Sequence, residues 1–89
     1  MRLVWTQSAH TDRKAIRDYI AKRAPQAAMD LDQLIGDKAN MLRTNPMLGR
    51  IGRVENTREL VIHKSYLLIY DLTDDVRILR ILHTSKLWP

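Results

Sequence analysis

Eighty-nine residues, 45% of them hydrophobic and 28% charged, suffice for one small folding domain and exclude a multi-domain enzyme or a large cofactor fold. Cysteine is absent, which removes disulfides, thiolate metal sites and a cysteine nucleophile, and makes a reducing, cytoplasmic setting the expectation. Fifteen Lys and Arg against ten Asp and Glu leave a formal charge of +5, the balance of a protein whose partner is anionic: nucleic acid, the ribosome or an acidic protein.

Arg2 to Thr6 alternates weakly around Leu3 and Trp5 and reads as a short opening strand. Ser8 fits the cap of a helix running to about Arg23, with Ala9, Ile16, Tyr19 and Ile20 on its apolar face. Pro25 suits the first turn of a second helix, where its missing amide hydrogen is no loss. Ala28, Leu31, Leu34, Ile35, Met41 and Leu42 mark its buried side, Gly36 interrupts it, and Thr44, Asn45 and Pro46 stop it. So short a connection predicts an antiparallel helical hairpin.

From Met47 the period changes. Gly49, Gly52 and Asn56 punctuate a loop that holds Arg50 and Arg53. Arg58 to His63, Tyr66 to Leu72 and Val76 to His83 then read as strands, joined through Lys64-Ser65 and Thr73-Asp74-Asp75 into an antiparallel meander. In the last strand, alternation predicts Val76, Ile78, Arg80 and Leu82 on one face and Arg77, Leu79, Ile81 and His83 on the other. The tail closes on Leu87-Trp88-Pro89. The expected architecture is an α+β domain spanning residues 1–89: an N-terminal strand, an antiparallel helical hairpin, then a three-stranded antiparallel meander, with one sheet face partly open.

The residues with chemistry to offer lie mostly in the second half. No phosphate-binding glycine loop or nucleophile elbow is present, and His10, His63 and His83 lack metal-ligand spacing, so neither metal nor cofactor is expected. No run approaches the roughly 20 apolar residues of a membrane span, and residues 1–15 are too charged for a signal peptide. What remains is a basic and polar set: Arg50, Arg53, Arg58, His63, Lys64, Arg80, His83 and Lys86, with Tyr66, Tyr70 and Trp88. Metal-free RNA cleavage needs a base for the 2′-hydroxyl proton, cations on the phosphate and an acid for the leaving oxygen. Histidine suits either proton role, arginine grips phosphate with a forked pair of donors, and an aromatic ring stacks on an unpaired base. The same residues also have structural uses. Arg77 or Arg80 could meet Asp71, Asp74 or Asp75, Tyr66 and Tyr70 could pack in the core, and Trp88 could cover its edge.

The order and spacing of several segments resemble the RelE/ParE superfamily of type II toxins. These are Gly52-Arg53-Val54, Thr57-Arg58-Glu59-Leu60-Val61, Tyr66-Leu67-Leu68-Ile69-Tyr70, Ile78 to His83 and Trp88-Pro89. Trp5 with Asp12, Ile16, Tyr19 and Ile20, and the Pro25/Ala27-Ala28 helix start, carry the likeness into the first half. The resemblance implies the toxin of a toxin–antitoxin module, tied to plasmid maintenance or stress, and neutralised in a hetero-oligomer by a small, usually acidic antitoxin encoded beside it. RelE-like members cut mRNA on the ribosome; ParE-like members poison DNA gyrase. RelE-like proteins typically carry arginines where this chain has Leu67 and Thr84, whereas His83 followed by Trp88 resembles the YafQ-type ribonucleases. The expectation is therefore ribosome-dependent mRNA cleavage, with gyrase inhibition as the alternative. On the nuclease reading the resemblance makes His83 the proton-transfer residue and Arg58 and Lys86 phosphate ligands. Trp88 stacks on a base, and Arg50, Arg53, Lys64, Tyr66 and Arg80 line the substrate path.

Overall fold

The computed structural model describes residues 1–86 and 88–89, so that Leu87 of the expected tail lies outside the described residues. The chain runs β1 (Leu3–Trp5), α1 (Gln7–Ala21), α2 (Pro25–Met41), β2 (Arg50–Ile51), β3 (Thr57–His63), β4 (Tyr66–Leu72) and β5 (Val76–His83). One sheet holds all strands in the order β1-β5-β4-β3-β2, with β1 parallel to β5 and the other pairs antiparallel. The N-terminal strand, helical hairpin and meander are thus as expected. The loop holding Arg50 adds a strand, because Arg50 and Ile51 pair with Glu59 and Arg58 at the sheet's edge.

The first helix begins earlier than Ser8 suggested. Thr6 is its cap, accepting from the Ala9 amide at 3.3 Å while its hydroxyl donates to the Ile78 carbonyl at 2.8 Å. One side chain ends β1, starts α1 and ties both to β5, which Ser8 could not do from inside the helix. Gly36 has a packing reason: a Cβ there would meet Arg13 Nη2 at 3.0 Å, and Arg13 crosses this position to reach the Asp32 carboxylate at 2.8 Å.

The hairpin covers one face of the sheet. Ala9, Ile35, Ala39 and Leu42 pack on Leu60, Ile62, Leu68, Tyr70, Val76, Ile78 and Ile81. Burying each larger aliphatic side chain contributes about 1.5–3 kcal/mol, so this layer dominates the fold's stability. Tyr19 and Met41, expected in the apolar faces, are instead exposed, Tyr19 by 75%. The opposite face is not left open either: Leu67, Ile69 and Leu82 form a second cluster flanked by Leu79 and Trp88.

Strict alternation fails once in β5. Tyr70 pairs with Ile78 but Ile69 pairs with Arg80, leaving Leu79 as an extra residue in a β-bulge. The phase inverts there, so that Ile81, not Leu82, follows Val76 and Ile78 into the helix-covered core.

Candidate functional site

The two-residue turn Lys64-Ser65 sets His63 opposite Tyr66 on β4, and the last pair of β4 and β5 sets His83 opposite the same tyrosine. Tyr66 consequently sits between two imidazoles, with ring centroids 6.4 Å from His63 and 5.3 Å from His83, the latter edge-to-face. His83 Nδ1 accepts from the Ser85 amide at 3.0 Å and lies 2.7 Å from Ser85 Oγ, which commits one ring nitrogen to the following turn. Two clefts adjoin at Tyr66 and His83. One, of about 430 Å³, runs between α1 and β5 past Ile16, Tyr19 and Lys86. The other, of about 440 Å³, runs under the helical hairpin past Ile20, Leu31, Leu34, Asp30 and His63.

Of the residues singled out from sequence, His83, Tyr66 and Lys86 meet at this end, with Lys64 in the adjoining turn. The arginines do not. Arg58 faces Tyr70 across β3 and β4, four residues along from Tyr66, which is about 13 Å at the usual strand rise. Its guanidinium donates to the Gly49 carbonyl at 2.7 Å and so braces the loop ahead of β2. Arg50 and Arg53 converge on Glu59, which is only 3% exposed: Arg50 Nη2 reaches Oε1 at 3.2 Å, and the Arg53 amide and Nε reach Oε2 at 3.2 and 3.3 Å. Burial pushes the Glu59 carboxyl up, but these hydrogen bonds and the two positive charges outweigh it and hold the group below its ordinary range. Arg80 lies against Asp12 of α1 at 2.7 and 3.1 Å, a hydrogen-bonded pairing that raises the guanidinium pKa further. Trp88 packs over Leu67, Ile69 and Leu82 on the far sheet face, with its indole nitrogen buried and unpartnered among the described residues. No group of three or more His, Asp or Glu side chains is arranged to hold a metal ion among the described residues. Nor is any helix there long and apolar enough to cross a membrane.

The family model for the ParE toxin of the type II toxin–antitoxin system parDE matches residues 3–88. The chain belongs to the ParE toxin family. Toxin RelE2 of Caulobacter vibrioides is 37% identical over 86 residues, spanning 96% of this chain and 97% of that one. Y4kP of Sinorhizobium fredii, a candidate toxin by name, is 37% identical over 89 residues, covering 99% and 93% of the two chains. A solved chain from the chromosomal ParDE system of P. aeruginosa superposes with a TM-score of 0.83 at 27% identity, over 93% of this chain and 95% of that one. The fold is shared also with a YoeB/ParE toxin from Agrobacterium tumefaciens, at a TM-score of 0.67 and 15% identity, over 93% and 98% of the chains. The protein is thus the toxin of a type II module, and such a module supplies an antitoxin as its partner.

Sequence reasoning missed two residues that shape the toxin's site. Asp12 caps the free edge of β5 beyond the end of β1, accepting from the Ile81 amide at 3.0 Å as well as from Arg80. Its signal was a lone acid on an otherwise basic helix face. Asp30, in the wall of the second cleft, had no signal beyond belonging to the chain's more acidic stretch.

Proposed function

We propose that the toxin arrests growth by binding DNA gyrase and blocking its action, as ParE-like proteins do, rather than by cutting mRNA. The supporting observation is the dispersal of the cations an RNA-cleaving site needs. Arg58 lies about 13 Å along the sheet from the His83 level, and Arg50, Arg53 and Arg80 are each engaged by a carboxylate of the toxin itself. Metal-free cleavage of a phosphodiester needs base, acid and cation on one phosphate. Beside His83 the cleft offers Lys86 alone. The ParE family match and the likeness to the P. aeruginosa ParDE chain point the same way.

The mRNA-cleaving reading keeps one observation, that His83, Tyr66 and Lys86 line a common cleft. The two part cleanly in one experiment. Purified toxin is titrated into gyrase supercoiling relaxed plasmid, and in parallel into a translating extract whose mRNA is mapped by primer extension. Loss of supercoiling with intact mRNA is the expected result, and His83→Ala leaves that inhibition in place. Unimpaired supercoiling at stoichiometric excess, with new mRNA ends that vanish in His83→Ala, would reverse the assignment.

A further inference from the structure

The two clefts that adjoin at Tyr66 differ in charge although both have apolar walls. On the α1–β5 arm stands Lys86, and the carboxylate in that wall, Asp12, is already taken up by Arg80 and the Ile81 amide. On the hairpin arm stands Asp30, which accepts from Gln26 at 2.9 Å and has no cation paired with it among the described residues. Apolar side chains line both arms, Ile16 and Tyr19 on one and Ile20, Leu31 and Leu34 on the other. A bent apolar trough of this kind takes an amphipathic helix laid apolar side down. A polyanion fits poorly, because Asp30 stands in its path.

We infer that this trough seats an amphipathic helix of the antitoxin in one fixed direction, with an acidic side chain against Lys86 and a basic one against Asp30. Asp30 and Lys86 then act as a pair of polarity markers that select the partner and its orientation by opposite charges, one of them repelling any helix laid the other way. The surrounding cations, Lys64 and the Lys22–Arg23 turn between Ile20 and Ala27, speed the approach of an acidic protein without setting its direction. The inference rests on membership of a toxin–antitoxin family and is independent of whether gyrase is the target.

The test measures toxin affinity for the purified antitoxin encoded beside it, by calorimetry, with no gyrase present. Asp30→Lys and Lys86→Glu each weaken binding by about fivefold or more, since an exposed attraction becomes a repulsion. Arg43→Glu at the opposite end changes it by less than about twofold. The decisive variant is Asp30→Lys, which makes the toxin more basic: weaker binding supports the fixed direction, and tighter binding, as for a partner or nucleic acid held by overall charge, overturns it. Unchanged affinity in both cleft variants overturns it as well. Self-association of the toxin alone that these reversals abolish does the same, because a second copy would then be the occupant. Asp30→Asn and Lys86→Gln, which disturb the fold less, show smaller losses in the same direction.

Discussion

Tyr70→Phe deletes one oxygen and orphans two backbone groups. Tyr70 is fully buried, its hydroxyl donates to the Pro46 carbonyl at 2.7 Å, and it accepts from the buried Gly49 amide at 2.8 Å. A buried polar group left without its partner costs about 1–3 kcal/mol, and the less buried Pro46 carbonyl regains some water, so the substitution should cost about 2–4 kcal/mol. For a domain of this size that lowers Tm by about 10–25 °C. Urea unfolding followed by circular dichroism should show a lower midpoint with an unchanged m-value, the sign of lost stability rather than altered compactness. A loss below about 0.5 kcal/mol would refute the reasoning, since it would mean that the hydroxyl holds nothing water cannot. Two further readouts follow from the same contacts. Gly49→Ala should be comparably damaging, because the added Cβ would stand 2.7 Å from Tyr70 Cε1. Burial pushes the Tyr70 phenol up, and the Gly49 amide and the Arg58 charge only partly offset it. The unfolded chain therefore ionises first, stability falls as pH rises above about 10, and Tyr70→Phe flattens that alkaline limb.

Arg58→Ala should destabilise the toxin by about 1–2 kcal/mol through loss of the Gly49 carbonyl contact, while leaving gyrase inhibition at low temperature intact. Inhibition lost without any change in unfolding would place Arg58 on the target instead. Glu59 is held below its ordinary range, so it stabilises the fold above the unfolded carboxyl pKa of about 4.3, and that contribution disappears as pH falls through the lower folded value. Glu59→Gln should accordingly be less stable at neutral pH and show a shallower acid limb in denaturant titrations; parallel limbs for the two proteins would contradict this. Asp12→Asn keeps one acceptor but loses the charge on Arg80, with an expected cost of about 1.5–3 kcal/mol and faster hydrogen exchange at the Ile81 amide.

The fold was largely legible because its signals are local. Pro25 started α2 where the structure starts it, and Lys64-Ser65 fixed a hairpin whose register brings His63 and His83 to one tyrosine. The Arg50–Ile51 strand escaped notice because two residues carry no period, and its pairing depends on Glu59 drawing Arg50 and Arg53 onto the sheet. The candidate site was half legible. His83, Tyr66 and Lys86 converge because strand ends and turns can be located from sequence. The fate of the arginines cannot, since each ion pair joins distant positions: Arg80 found Asp12 on α1 rather than an acid of its own hairpin. Arg77 did find the nearby Asp71 at 2.6 Å, the pairing that cross-strand register allows. Eight such pairs tie down much of the basic composition, so formal charge overstated the cations free to meet a ligand.

Leu79 gives the final strand a length tolerance at one place only. Because it faces no partner on β4, a gene that lost this codon would still match Ile78 to Tyr70 and Arg80 to Ile69, and both halves of the strand would keep their orientation. Dropping any other interior codon of Val76–His83 would turn one half inside out, trading core aliphatics for surface charge. Lineages of this toxin should therefore differ in length at this strand only where that leucine stands.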